Sequence, residues 1–256
     1  MDLYFNEYGS GFPIIIVHGL LGTSDNWITV AKKLSGEFSV FNVDVRNHGR
    51  SPHLPEMNYP AMAADLKAFM ENQWIHKAHL IGHSMGGKLV MQFALDYPDV
   101  VEKLVIVDIA PKTYPGGHEH ILQALEDIDL NDVDSREEVE AELTRRLDEP
   151  KSVIQFLMKN LHFDRVLKNY SWKMNLSAIV DHYDEISTAI ESGESFVGPT
   201  LFISGGKSKY ILPEDKPRIK ELFPNAQFEI IEDAGHWVHA EKPAEIFEIL
   251  KEFLKE

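Results

Sequence analysis

The chain has 256 residues, 44% of them hydrophobic, with no cysteine and a formal net charge of −16 at pH 7. That is enough apolar material for one large core, alone or with an inserted cap. The charge repels phosphate backbones and anionic lipid, which argues against nucleic-acid binding and against membrane attachment through charge, and no apolar run approaches the length of a membrane span.

From the N-terminus, Leu3 and Phe5 alternate with polar neighbours as an edge strand does, and Met1–Glu7 lacks the basic and apolar regions of a signal peptide. With no cysteine either, a cytoplasmic location is expected. After a turn at Tyr8-Gly9-Ser10-Gly11, the run Pro13-Ile14-Ile15-Ile16-Val17 is apolar on both faces, which predicts a parallel strand covered by helices on each side. It ends in His18-Gly19-Leu20-Leu21-Gly22, a loop able to bring a backbone N–H close to a ligand, and an amphipathic helix then carries Trp27, Val30, Ala31 and Leu34. The next strand, Phe38–Val43, leads to the polar loop Asp44-Val45-Arg46-Asn47-His48-Gly49-Arg50-Ser51, whose charges are expected to pair with one another and brace the turn that follows. A helix from about Tyr59 to Trp74 packs Met62, Leu66, Phe69 and Met70.

The chain is organised around His79-Leu80-Ile81-Gly82-His83-Ser84-Met85-Gly86-Gly87-Lys88, an apolar strand running through a glycine-flanked serine into a helix. So abrupt a reversal forces Ser84 towards a strained backbone, and side chains at Gly82 and Gly86 would collide across it. The Ser84 hydroxyl is lifted clear of the sheet, where the helix beginning near Met85 aims unpaired N–H groups and its positive end. Lys103–Val107 is another doubly buried strand, ending in Asp108-Ile109-Ala110-Pro111. Strand and helix alternate throughout, the order of an α/β parallel sheet.

Between residues 112 and 197 the pattern changes to consecutive helical segments without strands, which predicts a helical cap inserted into a core of residues 1–111 and 198–256. The segment holds 18 Asp and Glu against 9 Lys and Arg, so it carries −9 of the net −16 on a solvated outer face. Its apolar residues, among them Phe156, Leu157, Leu161, Phe163, Tyr170, Trp172, Met174 and Tyr183, are too many for a surface and should face the sheet's carboxyl edge, with Phe156 and Trp172 candidates for an acyl pocket beside Leu21 and Trp237. His118-Glu119-His120 sits in polar sequence and reads as a solvated loop, and no histidine spacing suggests a metal site. The core resumes with Thr200–Ser204, the loop Gly205-Gly206-Lys207-Ser208-Lys209-Tyr210, a last strand Gln227–Ile231, then Asp233-Ala234-Gly235-His236-Trp237-Val238-His239 and a terminal helix opening at Pro243.

Ser84, Asp108 and His236 all fall at carboxyl ends of predicted parallel strands, where open α/β sheets bind ligands. A serine hydroxyl needs a base, histidine titrates near neutrality, and a carboxylate can hold the ring in the right tautomer. The N–H groups of Met85 and of Leu20 or Leu21 are the expected oxyanion donors. Asp215, Asp233 and Asp44 are alternative acids, His18 and His83 are expected to brace the oxyanion loop and the turn, and His239 to pack.

These segments together resemble the α/β-hydrolase family, and especially the small bacterial YbfF-type esterases. The resemblance implies a sheet of about eight strands, a helical cap, hydrolysis of acyl esters or thioesters at a serine, and no cofactor; in the mechanism expected here the N–H groups of Met85 and Leu20 hold the carbonyl oxygen. One departure matters. Many α/β-hydrolases carry the acid in a Gly-x-x-Asp loop, but the corresponding positions here are Ser208 and Lys209, which moves the acid to Asp108 with Ser208 as support. C–C bond hydrolysis, perhydrolysis and a hydrolase-fold receptor with little turnover are the other functions this constellation allows. A carboxylate nucleophile, as in epoxide hydrolases or haloalkane dehalogenases, is disfavoured by Ser84.

Overall fold

The computed structural model describes residues 1–255. The core contains β1 (Phe5–Gly9), β2 (Phe12–Val17), α1 (Ile28–Leu34), β3 (Phe38–Val43), α2 (Tyr59–Asn72), β4 (Ala78–His83), α3 (Met85–Asp96) and β5 (Val101–Val107). Then come α4 (Glu119–Glu126), α5 (Arg136–Arg146), α6 (Lys151–Met158), β6 (Leu161–Asp164), β7 (Asn169–Trp172), α7 (Leu176–Asp181) and α8 (Tyr183–Ser187). The chain returns to the core through β8 (Thr200–Gly205), α9 (Lys216–Leu222), β9 (Ala226–Ile231), α10 (Val238–Glu241) and α11 (Pro243–Lys255).

Seven strands form the main sheet in the order β1-β3-β2-β4-β5-β8-β9, where the resemblance implied about eight. β1 is antiparallel to β3 and every other pairing is parallel. The runs that are apolar on both faces become the central strands: Ile14 to Val17 and Leu104 to Val107 are at most 1% exposed. One face packs under α2 and α3, the other under α1 and α11. After β2 the chain moves outward to β3 and then returns to the other side of β2 as β4, so the order reverses between β2 and β4. The loop after β2 and the turn after β4 therefore face each other across the switch point, where parallel sheets leave a crevice.

Residues 112–197 differ from expectation in one respect. Strands β6 and β7 pair as an antiparallel hairpin, with Leu161 opposite Trp172 and Phe163 opposite Tyr170, in a segment expected to contain only helices. The loop after β3 also differs. Arg46 pairs with Asp65 on α2, Nε to Oδ2 at 2.6 Å, and not with Asp44, whose carboxylate accepts the backbone N–H groups of Ser24 and Arg50.

Candidate active site

Ser84 has φ 53° and ψ −121°, a conformation that non-glycine residues adopt at a cost of about 1–3 kcal/mol and that is held here by the strand before it and the helix after it. Both flanking glycines are required. A Cβ on Gly82 would lie 2.2 Å from the Gly86 carbonyl oxygen, and one on Gly86 would lie 2.4 Å from that of His18. The second contact is with the loop after β2, so Gly86 admits that loop to the turn as well as permitting the turn itself.

The Ser84 hydroxyl lies 3.0 Å from His236 Nε2, and His236 Nδ1 lies 2.7 Å from Asp108 Oδ2. A proton on Nδ1 is donated to the carboxylate, which leaves Nε2 free to accept from the hydroxyl. Asp108 is 0% exposed and also accepts from Ser208 Oγ at 2.5 Å and from the Gly205 N–H at 3.0 Å. Three donors offset part of the cost of burying the carboxylate. Tyr210 stacks on the His236 imidazole with centroids 3.9 Å apart and planes 19° from parallel. Asp215 is held elsewhere, 2.7 Å from Lys112 Nζ, and Asp233 lies at the surface 3.5 Å from Lys207.

Met85 heads α3, so its N–H has no intrahelical acceptor, and the Leu20 N–H has none among the described residues. The loop bearing Leu20 is held by two buried imidazoles. The Leu21 N–H donates to His48 Nε2 and the Val45 N–H to His18 Nε2, each at 3.2 Å. Those bonds require neutral rings with an unprotonated Nε2. Burial pushes both pKa values down, that of His48 to about 3. His83 is lowered by burial too, and its Nε2–H holds the His236 carbonyl at 2.9 Å, so it braces the histidine loop beside the turn. His239 packs flat on Trp27, with centroids 4.3 Å apart.

Two cavities flank Ser84. The larger, of about 440 Å³, is lined by Leu20, Met85, Ile109, Tyr114, Tyr183, Ile186 and Tyr210 together with Lys88, Lys207, Ser208 and Lys209. The smaller, of about 40 Å³, is lined by Leu21, Trp27, Ile121, Val153, Phe156, Leu157 and Trp237. Leu21, Phe156 and Trp237 thus share the smaller cavity. Trp172 lines neither cavity: it sits on β7 and packs against the core. His118, expected in a solvated loop, lines both cavities and has its ring Nδ1 3.0 Å from the Tyr183 hydroxyl. Lys88 was hidden in an otherwise apolar helical run; its position four residues after Ser84 was the available signal. Among the described residues no three His, Asp or Glu side chains gather as a metal site, and no helix is long and apolar enough to cross a membrane.

Residues 13–243 match the family described as alpha/beta hydrolase fold. Esterase YbfF of Escherichia coli (strain K12) is 39% identical over 245 residues, covering 95% of this chain and 93% of its own. The sn-1-specific diacylglycerol lipase ABHD11 of Danio rerio is 38% identical over 260 residues, 98% of this chain and 81% of its own. Among solved structures, a marine microorganism esterase is 40% identical and superposes with a TM-score of 0.96 over 98% of this chain and 99% of its own.

Proposed function

Because the chain belongs to the alpha/beta hydrolase family, we propose that it is a serine esterase cleaving carboxylic esters through an acyl-enzyme on Ser84. The observation that carries this reading is the unbroken line from the Ser84 hydroxyl through His236 to Asp108, at 3.0 and 2.7 Å, beside the two unpartnered N–H groups of Met85 and Leu20. His236 Nε2 takes the hydroxyl proton as Oγ attacks the ester carbonyl, and the oxygen that becomes negative is held by those N–H groups. The imidazolium gives its proton to the departing alcohol, and the C–O bond breaks. Water then attacks the acyl-enzyme with His236 again as base, which releases the carboxylic acid and restores Ser84. Asp108 holds the tautomer and the charge of the ring throughout, with Ser208 and Gly205 fixing the carboxylate.

The esterase and lipase names of the relatives support acyl esters as the substrate class, and acyl thioesters are open to the same attack. Residues 112–197 serve as the cap: Phe156, Tyr183 and Ile186 contribute to the cavity walls and so shape acyl preference. A fluorophosphonate probe tests the nucleophile. It should label the wild-type protein and leave Ser84→Ala unlabelled, with aryl-ester turnover falling about 10⁶-fold. Equal labelling of the two proteins would overturn the assignment.

A further inference from the structure

The larger cavity has a charge that the rest of the chain does not share. Asp and Glu number 41 against 25 Lys and Arg, yet no carboxylate lines this cavity and three lysines do. Lys207 and Lys209 are exposed, but Lys88 is only 2% exposed. Its Nζ donates to the carbonyls of Ser187, at 3.1 Å, and Thr188, and lies 4.9 Å and 6.0 Å from the ring centroids of Tyr114 and Tyr59. Its third N–H has no acceptor among the described residues, and no Asp or Glu pairs with it. A buried ammonium without a counter-ion is costly, and carbonyl dipoles and ring faces offset only part of that cost. Burial accordingly pulls its pKa down to about 7.

We propose that Lys88 anchors an anion subsite, and that the cavity takes acyl groups ending in a carboxylate: half-esters of short dicarboxylic acids, with the ester carbonyl at Ser84 and the free carboxylate on the Lys88 ammonium. The substrate supplies the counter-charge that the protein withholds. Lys88 lies one turn after Ser84, its backbone N–H donating to the Ser84 carbonyl at 3.1 Å, and the lysine stem carries the ammonium further away, so the acyl chain must place several carbons between its two ends. A single remaining donor suits a carboxylate better than a phosphoryl dianion. The neighbouring hydroxyls of Tyr59 and Tyr114 are already donated to the Ile186 and Tyr210 carbonyls. The anion belongs to the acyl half because that half stays bound through the covalent step, while the alcohol must depart.

This inference rests on the esterase reading, and two measurements separate their fates. In the first, aryl hydrogen glutarate is compared with aryl valerate, its neutral counterpart. The wild-type protein should favour the half-ester in kcat/KM by about tenfold or more, the worth of one hydrogen bond between charged groups, and the ratio should collapse in Lys88→Met. Raising salt from about 0.05 to about 0.5 M should leave the ratio nearly unchanged, because a buried pair is weakly screened. In the second, free glutarate should raise the thermal midpoint of the wild-type protein, a readout that needs no turnover and survives failure of the esterase reading. A preference for the valerate ester would overturn the proposal. So would glutarate stabilisation or preference abolished by salt, which would assign the charge effect to Lys207 and Lys209. If Lys88→Met does not fold, the wild-type measurements decide alone.

Discussion

The sheet and the segment between β5 and β8 meet at Ser84 and are held together by different means. In the sheet, Ser84 and Asp108 each follow a strand paired on both sides, so their backbones are set by the ladder; the Ser84 N–H, for example, donates to the Val107 carbonyl at 3.0 Å, while His236 comes from the loop after the edge strand β9. The inserted segment is made of short helices and a hairpin, and docks through side chains reaching backbone: Asn160 Nδ2 to the Leu21 carbonyl at 2.7 Å, and the Tyr59 hydroxyl to that of Ile186 at 2.6 Å. A site built on a ladder tolerates little displacement, whereas a wall built from packed side chains can change shape by degrees. Substitutions in the first region should therefore act on all substrates alike, and those in the second should sort substrates.

The sharpest break would come at Asp108. Asp108→Asn should lower kcat by about 10⁴-fold on every ester, as loss of a carboxylate behind a catalytic imidazole does elsewhere. Asp215→Asn, whose carboxylate is engaged by Lys112, should stay within about tenfold of wild type. Ser208 Oγ lies 2.5 Å from the same Asp108 oxygen that His236 uses, so Ser208→Asp placed in the Asp108→Asn protein should restore part of the rate. A silent Asp108→Asn would remove the acid from this strand end.

Acid should next separate the regions by stability. His18, His48, His83 and His239 are buried in the core with pKa values lowered by burial, those of His48 and His239 to about 3. A depressed folded pKa means that the unfolded chain binds protons first. The stabilisation is complete above the unfolded value near 6.5 and is lost as pH falls from there towards about 3. The loss approaches about 1.4 kcal/mol per pH unit for each ring kept neutral. Urea midpoints at pH 7 and pH 5 should differ strongly, and His239→Phe, which keeps an aromatic ring on Trp27, should flatten the difference. Equal midpoints would mean that these rings stay accessible to protons.

Smaller effects belong to the insertion. Phe156 lines the lesser cavity and lies 5.8 Å from the Trp237 ring. Phe156→Ala should shift the optimum acyl length by a few carbons, changing ratios among esters about three- to tenfold with little effect on the best substrate. A uniform loss would make Phe156 a folding residue. Smaller still is the effect at the rim, where Lys207 and Lys209 are exposed. Added salt should raise KM for an acyl-CoA thioester about two- to threefold and leave neutral aryl esters nearly unchanged.

Much of the core was legible because its signals are local. Runs such as Ile14–Val17, the glycines about Ser84 and the missing acid at Ser208 and Lys209 can be read without knowing what lies nearby, and they lead to the seven strands and to Asp108. The hairpin was hidden for a local reason as well. Its turn places Lys168 at φ 54°, a left-handed position where glycine or asparagine usually announces a reversal. Other features depend on contacts distant in sequence. Nothing near Arg46 points to Asp65, and a lysine in an apolar helix gives no sign that its ammonium opens on a cavity. Trp172 misled because aromatic density marks burial without saying which neighbour is covered.

The bond from Asn160 to the Leu21 carbonyl also couples the inserted segment to the loop after β2. It fastens the stretch between α6 and β6 to the loop that carries the Leu20 N–H, so a shift of that stretch would be felt in the loop although Asn160 lines neither cavity.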